Sequence, residues 1–111
     1  MRALIVDGEE IYRLSMKEVI SAATNFDEIL EAGSEHDFLA MTARHDTFDL
    51  IILQPASLQS DGQNCLRLVQ RLYPNTTLVC IGKHSEYNSG HINHNYTVMP
   101  RTASVQDMIS A

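Results

Sequence analysis

No tryptophan occurs in the chain and aromatic side chains are few, at 6%, so a packed core has to be built mainly from aliphatic residues. Only two cysteines are present. Cys65 and Cys80 lack CxxC spacing and sit in apolar surroundings, which excludes a disulfide scaffold and reads as two reduced core thiols. A cytoplasmic location is the matching expectation. Cations are scarce as well: 8 Lys and Arg against 14 Asp and Glu leave a net charge of -6. Phosphate recognition needs clustered Lys and Arg, so this segment is not expected to bind nucleic acid itself. The acidic balance bears on this segment alone and does not exclude DNA binding by a part of the protein missing here. No apolar run approaches a membrane span and there is no secretory segment; Met1-Arg2-Ala3-Leu4-Ile5-Val6 goes straight into a strand pattern. The 111 residues suit one domain.

What is present is alternation. Ala3 to Val6 is a short apolar run ending at Asp7-Gly8, which predicts a buried strand and a turn. From Glu9 to Ala23 the apolar residues Ile11, Tyr12, Met16, Val19 and Ile20 recur at helical spacing, with Glu9 and Glu10 in the first turn. Thr24-Asn25 breaks that helix, and Phe26 to Ala32 alternates loosely, as an outer strand does. Ser34 is placed to cap a second helix, with Asp37 completing a capping-box-like pair. Phe38, Leu39 and Met41-Thr42 are expected on its inner face, and His45-Asp46-Thr47 closes it.

The central stretch is Phe48 to Gln54 (FDLIILQ), an apolar run ending in the loop PASLQSDG. It predicts a strand buried on both faces, offering functional groups at its carboxyl end. Asp61-Gly62 starts a third helix carrying Leu66, Val69 and Leu72, which Tyr73-Pro74-Asn75 stops. Thr77 to Gly82 is a fourth, internal strand. Lys83 to Asn95 (KHSEYNSGHINHN) is too rich in His, Asn, Ser and Gly for a full helix, so the fourth helix is expected to be shortened or disordered. Tyr96 to Met99 resumes as a fifth strand. Pro100-Arg101-Thr102 turns, and Ala103 to Ala111 begins a last helix with Val105, Met108 and Ile109 on one face. The chain ends inside that helix, as expected of the N-terminal part of a longer protein.

Five strands alternating with helices predict an α/β three-layer sandwich around a parallel sheet with right-handed crossovers. The flavodoxin-like order 2-1-3-4-5 suits the length. Its crevice would bring Asp7 and Gln54 face to face.

These residues resemble the receiver domain of bacterial two-component response regulators, most closely the type attached to LuxR/NarL-class DNA-binding domains. The likeness spans nearly the whole chain. Its most specific stretches are ALIVDGEEIYR, FDLIILQPASLQSDG and YTVMPRTASVQDM, and the interval from Gln54 to Asp61-Gly62 matches that between the family's phospho-accepting aspartate and its downstream Asp-Gly. Family receivers carry an acidic pair after the first strand, an aspartate ending the third, Ser or Thr ending the fourth and Lys ending the fifth. The carboxylate attacks phosphorus, Mg²⁺ held by the acids offsets the gathering charge, and the hydroxyl and ammonium hold the transferred oxygens. Here the resemblance places Asp7 and Gly8 at the acidic pair, Gln54 at the phosphoacceptor, Gly82 at the hydroxyl and Met99 at the lysine. Four of these five positions depart from the pattern. The resemblance therefore implies a degenerate receiver, a non-enzyme with no cofactor and its Mg²⁺ site lost.

Other features invite chemistry less strongly. Glu9, Glu10, Lys83 and Arg101 fall near one rim, where a solvated, partly salt-bridged loop is the commoner arrangement. His91 and His94, with His84, lack a third ligand at definite spacing and read as exposed loop histidines. Asp7 reads as structural, a lone carboxylate taking amide donors. The Met residues at 16, 41, 99 and 108 read as core filler. Acidic residues stand where a Gly-rich phosphate loop would sit, and no nucleophile–base pair is visible.

The expected function is a phosphorylation-independent regulatory or dimerisation module of a LuxR-type transcription regulator, its partner either a second copy or another signalling protein. Receivers signal through a Thr/Ser and an aromatic on the face of the fourth helix, fifth strand and fifth helix. Gly82 removes the first of these; Tyr96, Lys83 and Arg101 are the candidate residues of that face. The alternative is a stand-alone protein-interaction adaptor in a signalling complex. A helix-turn-helix following Ala111 would favour the first.

Overall fold

The computed structural model describes residues 1–23, 26–57, 62–82 and 97–99. Five strands form one parallel sheet: β1 (Arg2–Val6), β2 (Glu28–Ala32), β3 (Leu50–Leu53), β4 (Thr77–Ile81) and β5 (Thr97–Met99). Their order is β2-β1-β3-β4-β5, as the alternation of the sequence predicts. Between them run α1 (Glu10–Ala23), α2 (Glu35–Arg44) and α3 (Gly62–Leu72), with one 3-10 turn at Pro55–Ser57. The two segments expected to hold the fourth and fifth helices lie outside the described residues.

The pleat explains why the central strands read as continuous apolar runs. Successive side chains point to opposite faces of a sheet, and here both faces are covered. Ala3, Ile5, Leu50, Ile52, Val79 and Ile81 line one face, where Met16 and Ile20 of α1 pack upon them. Leu4, Val6, Ile51, Leu53, Leu78 and Cys80 line the other, against Phe38 of α2 and Leu66 and Val69 of α3. Cys65 and Cys80 are both buried and in no disulfide, and burial drives the Cys80 thiol far above its ordinary range.

The helix faces correct the sequence reading in four places, one of them on α3, where Leu66 and Val69 are buried but Leu72 is 44% exposed. α1 turns its Tyr12–Met16–Ile20 ridge to the sheet, so Ile11 is 80% exposed and Val19 47% exposed. In α2, Phe38 is fully buried while its neighbour Leu39 stands 45% exposed. The physical reason is shared: a stripe of 3.6-residue period accommodates one ridge, and adjacent apolar residues lie about 100° off it. The cap is as expected, since the Ser34 hydroxyl accepts the Asp37 N–H at 3.2 Å.

Tyr73 ends α3 and ties it to the segment entering β3. Its ring meets Phe48 edge-on at 5.2 Å, and its hydroxyl donates to the carbonyl of His45 at 2.8 Å. Burial, assisted by the charge of Asp46, pushes the phenol above its ordinary value of 10.0. The folded chain then holds this proton after the unfolded chain has released it. This contribution to stability is whole below pH about 10 and is lost as the pH rises through the raised folded value. Urea midpoints measured across that window should fall in the native protein and flatten in Tyr73→Phe. An equal slope in both would remove Tyr73 as the cause.

Candidate functional site

In an open parallel sheet, functional groups gather beyond the carboxyl ends of the strands. The register shows which residues arrive there. Val6 pairs with Leu53, Leu53 with Cys80, and Ile81 with Met99. One step beyond Val6 and Leu53, Asp7 and Gln54 therefore stand side by side, level with Ile81 and Met99. Gly82 follows one residue further out. A backbone hydrogen bond from the Gln54 N–H to the Val6 carbonyl, at 2.9 Å, closes the ladder at that level.

Asp7 is only 1% exposed, the one buried polar or charged residue among those described. Its carboxylate accepts the Glu9 N–H at 2.9 Å, just ahead of the first turn of α1. This is the use expected of a lone acid at a helix N-terminus. Gln54 is half-buried, while Gly8, Glu9 and Glu10 are exposed. Gly82 has φ 153°, a backbone region that only glycine enters without strain. Lys83, Tyr96 and Arg101 lie outside the described residues, as do the three histidines of the Lys83 to Asn95 segment. Among the described residues no three His, Cys, Asp or Glu side chains gather as a metal site.

One cluster beside the crevice escaped the sequence reading. Arg13 of α1 reaches over the end of β1, donating through Nη1 to the Asp7 carbonyl at 2.8 Å and through Nε to Glu31 of β2 at 3.2 Å. Lys17 approaches the same glutamate at 3.7 Å. The guanidinium lies over Gly33, so close that a Cβ there would stand 2.7 Å from Nη1. The signal in the sequence was faint: an Arg and a Lys four apart on one helix, facing a single acid on an edge strand.

Gly33→Ala should displace the Arg13 guanidinium, the flexible end of a long side chain, at a cost of no more than about 1 kcal/mol. The same change made in an Arg13→Ala background should be near neutral. Denaturant midpoints for the four proteins give the coupling, and two independent effects would refute the contact.

Solved structures share this architecture. A two component transcriptional regulator AraC from Clostridium phytofermentans ISDg superposes with a TM-score of 0.75 at 18% identity, covering 99% of this chain and 86% of that one. The fold is the flavodoxin-like receiver fold. An adenylate cyclase from Rhodopirellula baltica matches equally well, with a TM-score of 0.75 at 16% identity over 98% of this chain and 82% of that one. At these identities the likeness speaks for the fold alone. No protein-family model matches the sequence, and no curated protein does. Among the described residues no helix is long and apolar enough to cross a membrane.

Proposed function

We propose that this receiver-fold domain works without phosphorylation, as the regulatory and dimerisation module of a LuxR-type transcription regulator. The observation that carries the reading is Gln54, a neutral amide at the end of the central strand and level with the buried Asp7. An amide is neither a useful nucleophile nor a general base. The donor set also fits Mg²⁺ poorly. Gly8 brings no ligand, Gln54 brings no charge, and the Asp7 carboxylate is already engaged by the Glu9 N–H. No phosphoryl-transfer step is derived through such a metal.

With a glycine at position 82, no hydroxyl is available there to follow an acyl phosphate. On this reading the output surface, including Lys83, Tyr96 and Arg101, is set constitutively or by a bound partner. DNA contact belongs to a further domain, which agrees with a net charge of -6 here.

Incubation with acetyl phosphate and Mg²⁺, read by intact mass, tests the proposal. The protein is expected to stay unmodified. A stoichiometric phosphoryl adduct would overturn it.

A further inference from the structure

We infer that the outer edge of β2 is where two copies of this chain pair, antiparallel about a two-fold axis beside Leu30, so that their sheets join into one. This pairing rests on the dimerisation reading and gives it a surface. β2 stands first in the order β2-β1-β3-β4-β5, so no described strand lies on its outer side. The register shows which backbone groups face that side. Val6 pairs with Ala32, and the Ala32 carbonyl accepts the Asp7 N–H; Arg2 pairs with Glu28, and the Glu28 N–H donates to the Met1 carbonyl. Glu28, Leu30 and Ala32 therefore turn their backbone groups to β1, and the alternate residues Ile29 and Glu31 turn theirs outward. Among the described residues nothing meets them there.

An open edge is a template for another strand unless it is guarded, and the guards here are missing or spent. The strand (EILEA) holds no proline, lysine or glycine. The acids along it are matched within the chain: Asp27 by the amino terminus, Glu28 by Arg2, and Glu31 by Arg13 and Lys17. The sequence then suits a second copy in one register. With the axis at Leu30, Ile29 meets the partner's Glu31 and Glu31 meets the partner's Ile29, so every outward N–H and C=O of these residues is used. That register also sets Glu28 against the partner's Ala32 and Asp27 against the partner's Gly33, and no acid opposes an acid. Moving the axis to Ile29 would put Asp27 against the partner's Glu31. Moving it to Glu31 would put that carboxylate against its own copy. Like charges directly opposite destabilise a strand pair, so the charges choose the axis at Leu30. Leu30, half-buried on the cluster beneath α2 and α3, there meets the partner's Leu30 and extends that apolar layer.

A strand of 5 residues makes a short contact, below the ~1,200 Å² of stable interfaces, so the pairing belongs to the weak class.

Amide hydrogen exchange read by NMR from roughly 50 µM to 1 mM, with sedimentation velocity on the same samples and no phosphodonor, tests the pairing. The native chain should dimerise with concentration, and exchange at the Ile29 and Glu31 amides should slow several-fold as it does. Leu30 and Ala32, bonded to β1, should be protected at every concentration. Ile29→Lys and Ile29→Glu lose the same apolar side chain, but the first sets a cation against the partner's Glu31 and the second an acid. The lysine variant should therefore dimerise about tenfold more tightly than the glutamate variant. Equal affinities, or a dimer whose Ile29 and Glu31 amides exchange as fast as in the monomer, would overturn the edge assignment and leave the dimerisation reading on another face. Protection of both amides in the dilute monomer would mean that the chain covers its own edge, and would overturn the assignment too. A native chain that stays monomeric throughout would overturn both the assignment and the dimerisation reading.

Discussion

Converting Gln54 to aspartate alone is expected to leave the chain unlabelled by acetyl phosphate. The substitution supplies a nucleophile and little else. In a receiver the transferred phosphoryl group is held by Mg²⁺, a hydroxyl and an ammonium, and this chain offers Gly8, Gly82 and Met99 at those positions. Loss of one preorganised charge-stabilising donor costs about 10²–10³ in rate, so two such losses compound to about 10⁴–10⁶ before the metal is considered. Gly8→Asp with Gln54→Asp should restore Mg²⁺ affinity first, and Met99→Lys should then raise the labelling rate. Position 82 will resist the same repair. A serine or threonine at φ 153° is strained by about 1–3 kcal/mol, so the loop must rearrange to accept the hydroxyl. Intact mass against time distinguishes these cases. Rapid labelling of Gln54→Asp by itself would mean that the lost groups were dispensable, and the phosphorylation-independent reading would fall with them.

The contrast between backbone and side chain runs through the comparison of sequence and structure. Strand order was legible because apolar runs such as Leu50-Ile51-Ile52-Leu53 cannot be satisfied except between two covering layers, and parallel strands need crossovers. The helix N-cap at Ser34 was legible because a hydroxyl three residues ahead of an N–H is a local arrangement. The row holding Asp7 and Gln54 followed from the strand ends. The Arg13–Glu31–Gly33 contact did not, since its members lie 18 and 20 positions from Arg13 and meet only once β2 and α1 have packed. Helix faces were half legible. Ile11, Val19 and Leu39 are apolar and adjacent to core positions, and composition alone does not show which neighbour turns inward. The backbone of Gly82 was beyond reach too: a glycine is compatible with every φ, so its presence does not announce an unusual one.

Phe38→Ala should cost about 3–5 kcal/mol, among the largest single-residue losses of stability expected at the described residues. Phe38 is the one fully buried residue of the ten in α2, at 0% exposure. It packs in the cluster that contains Leu4, Val6, Leu53 and Leu66, with Met41 half-buried beside it. The rest of the helix adds little. Its Ser34 cap is worth about 1 kcal/mol, and an isolated helix of ten residues is marginal in water. Removing the ring therefore takes away both the transfer free energy and the anchor that keeps α2 on the sheet. Against a total stability of about 5–15 kcal/mol this is a large share, and at the low end of that range it would leave a substantial fraction of the chain unfolded near 37 °C. Leu39→Ala makes the control: one residue along and 45% exposed, it should change stability by no more than about 0.5 kcal/mol. Urea denaturation followed by circular dichroism reads both. A lower midpoint with an unchanged slope for Phe38→Ala would mean loss of packing in an intact fold, whereas a reduced slope would mean that α2 has already left the sheet in the native state. A cost below about 1.5 kcal/mol would show that Met41 and the helix caps, rather than Phe38, hold α2 in place.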